Sequence, residues 1–427
     1  MRAASQRTKL LKLLGYGAAA ALLGLAPTVA SAGKFKVLHT FCSKAGCDDG
    51  ANPIAPLVRD LAGNFFGTTE NDGKNGHGTA FELVNAGGGK YKFKTIYSFF
   101  GTVPGNGGLI VDTAGNLYGT DSQGFYQLAP PSGDRRRWLL TELVTIPDVG
   151  GSLTYAGAAS GAPWNGSSPL YGVTSSNADS GGSVYQLMPG DGSWHYSELY
   201  QFCSQQSCAD GSDPNGVLLD QSGVLYGTTF YGCPSGCNAD HGAGVAFELA
   251  PAGGSWTETV LHTFCSAAGC ADGANPTANL VQDAAGNLIG VTADGGGAGK
   301  HQGGTLFKIV PNGAQSEETV LYAFCQRKDC KDGAYPLGTP LLDQAGNIFG
   351  TTERGGDNEY GLAGAGIAYE LSGSTFRVLH SFCSEPNCAD GSLPSSGLVG
   401  DANGHLYGTA SGGGGPYGTG TVYQLTP

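Results

Sequence analysis

A β-rich pattern that occurs seven times along the chain limits the possible folds more strongly than any other feature of this sequence. Each copy contains a glycine that follows an apolar residue: Gly67, Gly119, Gly172, Gly227, Gly290, Gly350 and Gly408. Each copy also contains a segment in which apolar and polar residues alternate: 81–83, 126–128, 185–187, 247–249, 307–309, 369–371 and 423–425. Alternation with a period of two is typical of a strand with one buried face, so every copy is predicted to form β-structure.

Each copy is predicted to contain four short strands, A to D, joined by turns. In the first copy, strand A lies near residues 56–60, strand B at 64–69, strand C at 79–84 and strand D at 91–99. Six copies carry an Asp-x-x-Gly turn between strands A and B, whereas the third has a longer connection containing Pro163-Trp164-Asn165-Gly166. An antiparallel meander of about 50–60 residues has the length of a propeller blade. We therefore predict an all-β, seven-bladed β-propeller of four-stranded antiparallel blades, with an open β-solenoid as the alternative.

The two ends of the mature chain complement each other. Residues 34–41 match strand D of other copies, because the run Val37-Leu38-His39-Thr40-Phe41 is repeated at 260–264 and, with one change, at 378–382. The last copy stops after its strand C. The N-terminal strand is therefore predicted to pair with residues 421–425 in the last blade, which would leave no open sheet edge.

The first 32 residues have the pattern of a signal peptide. A basic start is followed by an apolar stretch from 13 to 25 and by Ala30-Ser31-Ala32, a typical cleavage site. The alternative is a membrane anchor, but the apolar stretch is short for spanning. We expect residues 33–427 to form a single seven-repeat domain without a transmembrane segment, secreted or located in the periplasm or outside the cell by bacterial-type export.

The charge balance limits the possible partners. Residues 1–32 contain four basic and no acidic residues, so their removal lowers the formal net charge from −13 to −17. An acidic surface repels phosphate backbones, which argues against nucleic acid as a partner.

Twelve cysteines form six close pairs in the sequence: Cys42 with Cys47, Cys203 with Cys208, Cys233 with Cys237, Cys265 with Cys270, Cys325 with Cys330, and Cys383 with Cys388. Export, an even count and repeated spacing predict six local disulfides. The alternative is metal binding, but two thiolates are too few for a closed zinc site.

Several of these positions occur together in most copies. In the first copy they are Phe41-Cys42, Asp49-Gly50, Pro53, the turn from Asp60 to Asn64, and residues 65–69 and 78–83. This combination resembles the GloVer (Gloeo_Verruco) tandem repeat of choice-of-anchor extracellular proteins, over essentially the whole mature chain. The resemblance implies an exported bacterial repeat protein and supplies no catalytic residues.

One face of the predicted fold carries the longer connections. In a four-stranded meander the D–A and B–C connections emerge on the same side, and five of the six cysteine pairs lie in D–A connections. These five share a Cys-x4-Cys-x-Asp-Gly pattern, with the aspartates Asp49, Asp210, Asp272, Asp332 and Asp390. The carboxylates are interpreted either as hydrogen-bond acceptors of the loop or as ligands of calcium, which is the one candidate cofactor.

The second and third copies have short connections on this face, which predicts a low sector beside taller loops. Tyr231, Tyr335 and Tyr360 are the loop aromatics that could stack on a sugar or a peptide there. The sequence contains no catalytic motif. His39, His262 and His380 share a strand D position with tyrosines, which indicates packing. We therefore expect a non-catalytic module that binds an extracellular glycan, a protein or a cation. The alternative is an extracellular enzyme, such as a glycoside hydrolase or a lyase, with carboxylates from several blades.

Overall fold

Every copy of the repeat is built from β-strands in the computed structural model, which describes residues 34–43, 46–176, 180–232, 243–297, 303–357 and 364–427. These residues belong to one compact region, Gly33–Pro427. Within the described ranges, no helix is both long and apolar enough to cross a membrane. The fold is therefore all-β, as predicted. Each repeat copy, together with its strands, is called a unit below.

The strands follow the predicted A to D order in each unit. Unit 1 contains β2 (Val58–Arg59), β3 (Phe65–Thr69), β4 (Thr79–Asn85) and β5 (Tyr91–Ser98). Unit 2 contains β6 (Ile110–Val111), β7 (Leu117–Asp121), β8 (Gly124–Ala129) and β9 (Leu139–Thr145). Unit 3 contains β10 (Val149–Tyr155), β11 (Leu170–Thr174), β12 (Ser183–Pro189) and β13 (Trp194–Gln201). Unit 4 contains β14 (Ser212–Leu219), β15 (Leu225–Tyr231), β16 (Val245–Ala252) and β17 (Ser255–Thr263).

The remaining units follow the same order. Unit 5 contains β18 (Ala274–Pro276), β19 (Val281–Gln282), β20 (Leu288–Asp294), β21 (Thr305–Val310) and β22 (Glu317–Ala323). Unit 6 contains β23 (Leu341–Leu342), β24 (Ile348–Thr352), β25 (Ile367–Ser372) and β26 (Thr375–Ser381). Unit 7 contains β27 (Val399–Gly400), β28 (Leu406–Ala410) and β29 (Thr421–Thr426). The first strand of the chain, β1 (Lys34–Thr40), also belongs to this sheet.

The sheets differ from the prediction of seven separate four-stranded blades in two respects, one of which is that unit 5 forms a five-stranded sheet in which β18 and β19 both pair with β20. The described strands form six hydrogen-bonded sheets instead of seven separate ones, because β10 and β14 join units 3 and 4 into one eight-stranded sheet. The joint is a single parallel bridge between Ser152 and Gly216. The two backbones can approach because glycines line the contact: a Cβ atom on Gly151 would lie 2.3 Å from the carbonyl oxygen of Asn215.

The glycine and the aromatic residue that mark each copy face each other across strands B and C. Gly67 pairs with Phe81, and Gly408 with Tyr423. In all seven units the aromatic side chain covers the glycine, and a Cβ there would lie only 2.4–2.6 Å from it. The two motifs recur together because the ring needs the space that glycine leaves.

The hydrophobic core lies between consecutive units. The apolar residue after strand D of one unit packs against the strand C aromatic of the next, as in Phe264 with Phe307 and Phe382 with Tyr423, whose ring centroids lie 4.9 and 5.0 Å apart. Phe41, which follows β1, packs in the same way against Phe81 of unit 1, with 5.2 Å between the centroids. The contact between units 7 and 1 is therefore built like the others.

The N-terminal strand pairs with the last strand, as the sequence predicts. Residues Lys34 to Thr40 of β1 run antiparallel to Thr426 to Thr421 of β29. Beyond the strand, the Phe41 amide donates to the Gly420 carbonyl at 3.0 Å, and the Thr419 hydroxyl donates to the Phe41 carbonyl at 2.8 Å. The first described residues of the chain are thus held by its last strand.

A hydrogen bond repeated at five contacts links each unit to the preceding one. In units 1, 4, 5, 6 and 7 the residue before the proline of the D–A connection donates its amide to a carbonyl of the preceding unit's B–C connection, over 2.7–2.9 Å. These donors have φ values of 55–59°: Asn52, Asp213, Asn275, Tyr335 and Leu393. Such values are rare for tyrosine and leucine, so the contact holds them there. The acceptor for Asn52 is Thr419 of unit 7.

Ring stacking on the outer strands adds a third repeated contact. His39 stacks on Phe93, Tyr322 on Phe376, and His380 on Phe35, with centroids 3.5–3.8 Å apart. In units 4 and 5 the position of these phenylalanines is held by Glu258 and Glu318, which pair with Leu249 and Ile309 as Phe376 pairs with Leu371. In units 4 and 5, the contact with the preceding unit therefore has a carboxyl group at the position where the three stacked contacts have a phenylalanine ring.

Candidate ligand-binding site

The D–A connections are closed by the predicted cysteine pairs. In the described ranges, five pairs are bonded, with Cα–Cα distances of 3.9–4.2 Å: Cys42 with Cys47, Cys203 with Cys208, Cys265 with Cys270, Cys325 with Cys330, and Cys383 with Cys388. The sixth predicted pair, Cys233 with Cys237, lies outside the described residues. Disulfides are typical of proteins outside the reducing cytosol.

The second cysteine of each bonded pair has a backbone role that the sequence interpretation did not assign to it. These residues have φ values of 46–52°: Cys47, Cys208, Cys270, Cys330 and Cys388. The carbonyl of each accepts the amide of the glycine three positions later, over 2.9–3.0 Å. Four of the carbonyls also accept a glycine amide from the B–C connection of the same unit, as Cys388 does from Gly414 at 2.7 Å. The second cysteine therefore joins the two connections of a unit through its backbone, in addition to closing the ring through its sulfur.

Removal of one such disulfide is expected to have a modest effect. A ring this small constrains the unfolded chain by about 2 kcal/mol, so the double variant C265A/C270A should unfold at a temperature only a few degrees lower. Thermal unfolding followed by circular dichroism measures the change. An unchanged unfolding temperature would contradict the expected stabilisation, and failure of the variant to fold would contradict a purely local role for this disulfide.

The five loop aspartates hold these connections in place. Asp272 Oδ2 accepts hydrogen bonds from the Ser266 amide at 2.9 Å and the Ser266 hydroxyl at 2.8 Å, and lies 3.2 Å from His262 Nε2. Asp390 repeats this arrangement with Ser384 and His380. Asp49 is held by His39, and Asp210 and Asp332 by the hydroxyls of Tyr200 and Tyr322. Burial alone would raise the pKa of Asp272, but the hydrogen bonds from His262 and Ser266 lower it to about 2.

The acceptor interpretation accounts for these contacts, because amide and hydroxyl donors occupy the carboxylate oxygens. Among the described residues, no three His, Cys, Asp or Glu side chains are arranged to hold a metal ion. Calcium ligation by the five aspartates stays a prediction. Of the three histidines predicted to have a packing role, His39 and His380 stack on phenylalanines of neighbouring units, and His262 makes an edge contact with Phe264.

Units 2 and 3 have short connections on the face that carries the D–A and B–C connections, here called the loop face. Strands β7 and β8 are joined by only Ser122 and Gln123. A cavity of about 290 Å³ lies at this sector, lined by Val103, Asn106, Asp121, Val149, Ser175 and neighbouring residues. A cavity therefore lies beside these short connections, and the low sector itself stays a prediction.

A larger cavity is lined by residues that lie at the start of strand A, or just before it, in all seven units. Its volume is about 450 Å³, within the range of small-ligand sites. The units contribute, in order, Ile54 and Pro56, Asn106 and Gly107, Gly151 and Ser152, Pro214 and Asn215, Thr277 to Asn279, Leu337 to Thr339, and Ser395 to Gly397. We call it the axial cavity. It shares Asn106, Gly151 and Ser175 with the cavity at units 2 and 3, so the two are continuous along the loop face.

The lining of the axial cavity mixes polar and apolar side chains and is almost uncharged. It presents hydroxyl and amide side chains, the aromatic ring of Phe230 and a single carboxylate, Asp213, and none of its described lining residues is Lys or Arg. Several polar groups also bridge units: the Asn215 amide donates to the Pro276 carbonyl at 2.8 Å, and the Thr277 hydroxyl to the Pro336 carbonyl at 2.9 Å. These bridges fix the shape of the wall before any ligand binds.

The three tyrosines proposed from the sequence have different surroundings. The guanidinium of Arg354 lies over the Tyr335 ring, 4.3 Å from its centroid, so that ring already has a partner. Tyr231 lies against Phe230, with 4.7 Å between the centroids. Tyr360 lies outside the described residues. Of these three, the structure places Tyr231 next to a residue that lines the axial cavity.

The sequence interpretation did not single out three other aromatic residues of the loop face. Phe230 lines the axial cavity. Phe100, in the D–A connection before unit 2, and Tyr417, in the B–C connection of unit 7, are 79% and 65% exposed. Large apolar side chains exposed on loops are available to a ligand. For Phe100 and Tyr417, the position in connections without predicted strand character was the signal that could have revealed them, whereas Phe230 lies within β15.

Comparison with protein families gives one match. A family model described as the Gloeobacter/Verrucomicrobia repeat matches residues 158–423. No curated protein matches the sequence.

Solved structures similar to this fold include extracellular domains from B. thetaiotaomicron. That of BT4673 superposes with a TM-score of 0.54 and 11% identity over 91% of this chain and 39% of that one. That of BT3049 gives 0.51 and 13% over 92% and 41%. PorZ, a bacterial surface component of the type-IX secretion system of Porphyromonas gingivalis, gives 0.50 and 12% over 88% and 46%. The chain thus spans less than half of each protein. At these identities the similarity shows the fold alone, with neighbours of the β-propeller kind.

Proposed function

The chain belongs to the Gloeobacter/Verrucomicrobia repeat family, and from this premise we propose that it is an exported, non-catalytic module that binds a neutral carbohydrate in the axial cavity. The observation that carries the proposal is the lining of that cavity: hydroxyl and amide groups from several units, one aromatic ring and no basic side chain among the described lining residues. Sugar hydroxyls exchange hydrogen bonds with such groups, and an aromatic ring stacks on the apolar face of a sugar.

The proposal includes a closed, seven-bladed arrangement of the units. Three kinds of contact between units 7 and 1 match those between other consecutive units: the Phe41–Phe81 packing, the Asn52–Thr419 hydrogen bond and the His39–Phe93 stack. The Thr409 hydroxyl of unit 7 also donates to the Ala55 carbonyl of unit 1, at 3.3 Å. A closed ring would bring all seven strand A segments to one cavity, which supports a site built from every blade.

Export and an extracellular location are part of the same proposal. The five disulfides favour an oxidising compartment. The first 32 residues would act as the signal peptide, and residues 33–427 as the mature protein. Two of the structural neighbours are described as extracellular domains and a third as a surface component, which is compatible with such a location.

A glycan screen on residues 33–427, followed by calorimetry on the best oligosaccharide, tests this function. The double variant N106L/S395L replaces two lining groups with the side chain that Leu337 already presents in unit 6. It should weaken binding about tenfold or more, because each lost hydrogen bond contributes about 1 kcal/mol.

The matched control is N403L, which changes an exposed asparagine in the A–B turn of unit 7, at the other end of the strands. Its affinity should equal that of the parent protein. Equal affinity of N106L/S395L would show that the oligosaccharide binds elsewhere. Cleavage of the oligosaccharide during incubation would replace the binding module with the enzyme alternative. Loss of binding in EDTA would instead favour calcium at the loop aspartates.

A further inference from the structure

We propose that the protein has a second, independent binding site, at the opposite end of the strand A segments from the axial cavity, and that this site takes an organic anion with an apolar body. The site is a cavity of about 480 Å³ that shares no described lining residue with the axial cavity. Its walls come from the ends of strand A in units 1, 2, 3 and 7 and from the long connection of unit 3.

The connection of unit 3 closes one side of this cavity, and its contacts are those of a built structure. Trp164 is fully buried, its ring centroid lies 5.0 Å from that of Tyr118, and its indole Nε1 donates to the Ser168 carbonyl at 3.1 Å. Its backbone bonds to Val111 and Thr113 of unit 2 at 2.9 and 3.1 Å. The Tyr155 hydroxyl donates to the Ala162 carbonyl at 2.7 Å. Residues 158–163 are therefore fixed over unit 2, and Ala158, Ala162 and Pro163 line the cavity.

Two further lining residues of this cavity, Arg59 and Gly400, come from the repeat position just before the turn aspartate. In units 2, 4 and 6 this position is apolar (Val111, Leu219 and Leu342), and in unit 5 it is Gln282, which does not line the cavity. In unit 1 it is Arg59, and in unit 7 it is Gly400; both line the cavity. Gly400 leaves room there, since a Cβ would meet only Leu341, at 3.6 Å. Two departures from the repeat and one ordered connection thus meet at one cavity.

Arg59 gives the cavity its expected charge preference. Its Nε is buried and has no hydrogen-bond partner among the described residues. The Asp60 carboxylate also lines the cavity, and its oxygens accept hydrogen bonds from the backbone amide and the side-chain amide of Asn64, both at 2.8 Å. A guanidinium among apolar walls binds a carboxylate or sulfonate strongly, since charge-assisted hydrogen bonds gain strength away from water.

The remaining lining explains the apolar body of the ligand. Leu57, Ile110, Leu153 and Val399 form apolar walls, and Leu61, at the rim, is 81% exposed. A ligand could place its anionic end near Arg59 and its apolar part along these side chains. The guanidinium of Arg59 lies 6.0 Å from the centroid of the Phe65 ring, and it forms no ion pair among the described residues. In a protein with an overall negative charge, an arginine without an ion-pair partner in a cavity is a specific feature, because the surrounding field disfavours anions elsewhere on the surface.

Two dyes test the proposal on residues 33–427: 8-anilinonaphthalene-1-sulfonate, which is apolar and anionic, and Nile red, which is apolar and neutral. The parent protein should bind the sulfonate saturably at one site. R59L, which places a repeat-like residue at this position, should weaken sulfonate binding about tenfold or more and leave Nile red within about twofold. G400L should weaken both dyes, because leucine fills the space that glycine leaves.

The matched control is R136A, which removes an exposed arginine that does not line the cavity; both affinities should be unchanged. Near-ultraviolet circular dichroism checks that each variant is folded, and R59Q replaces R59L should the latter not fold. The proposal is overturned by an absence of saturable sulfonate binding to the parent protein, by equal losses in R59L and R136A, or by unchanged affinities in G400L. None of these outcomes depends on carbohydrate binding in the axial cavity.

Discussion

Replacing Phe41 with alanine is expected to destabilise the protein by about 3–5 kcal/mol, as much as the same change at Phe264 in the middle of the chain. Both rings are buried, at 1% and 0% exposure, and both pack on the strand C aromatic of the following unit. If β1 merely lay against the sheet, the Phe41 substitution would lower the free energy of unfolding far less, because frayed ends contribute little to it.

Urea unfolding followed by fluorescence measures the two variants side by side. Phe100→Ala is the control, because this ring is 79% exposed and its loss should change the free energy of unfolding by less than about 0.5 kcal/mol. A Phe41→Ala cost below half that of Phe264→Ala would argue against a closed ring. Deleting residues 34–41 is a stronger form of the same test and should prevent stable folding, since it exposes β29 as an open edge.

Raising the pH from 5 to 8 is expected to weaken the fold through Glu258 and Glu318. Burial, with a smaller contribution from Asp210, raises the pKa of Glu258 to about 7; burial raises that of Glu318 to about 7, although His262 acts in the opposite direction. Both values lie above the usual 4.5, so the folded state favours the protonated form. The stabilisation that these two protonated carboxyls contribute is fully present below about pH 4.5 and is lost as the pH rises through 7. Because both carboxyls are only half buried, we expect about 1 kcal/mol for each.

The double variant E258Q/E318Q should remove this loss, since neither amide titrates. Burial lowers the pKa of His39, so the contribution of this histidine to stability increases between pH 5 and 7, opposite to that of the glutamates. Because parent and variant both contain His39, the difference between them isolates the two glutamates. The free energy of unfolding at pH 5, 6.5 and 8 gives the comparison. If the difference in the free energy of unfolding between parent and variant is the same at all three pH values, the effect is disproved.

The strands could be predicted from the sequence because every copy must satisfy the same packing requirement between strands B and C. The ring at position 81 needs a glycine opposite it at position 67, so both residues recur with the strands that hold them. Pairing of the first strand with the last followed from the likeness of residues 34–41 to other D strands. Fusion of the sheets of units 3 and 4 did not follow, because it depends on a single backbone approach at Gly151 and Gly216.

The cavities could not be predicted in the same way. The axial cavity is lined by repeat positions that hold a different side chain in each unit, such as Ile54, Asn215 and Leu337, so no motif marks it. The loop tyrosines drew attention because they are aromatic, but the sequence does not show that Arg354 covers the Tyr335 ring. Arg59 and Gly400 could have been found by comparing the residue before each turn aspartate. Their meeting with the unit 3 connection required the fold.

The pairing of β1 with β29 also sets an order of events in time. Phe41 and the residue whose hydroxyl holds it, Thr419, are 378 positions apart. Strand β1 therefore has no partner in its sheet until the distant segment that forms β29 has come next to it. Contacts between such distant segments form slowly, because a very long loop must close before they contribute any stability. Until β29 is in place, the edges of β1 and β28 that it covers stay exposed, so the addition of β29 is the step that completes this sheet.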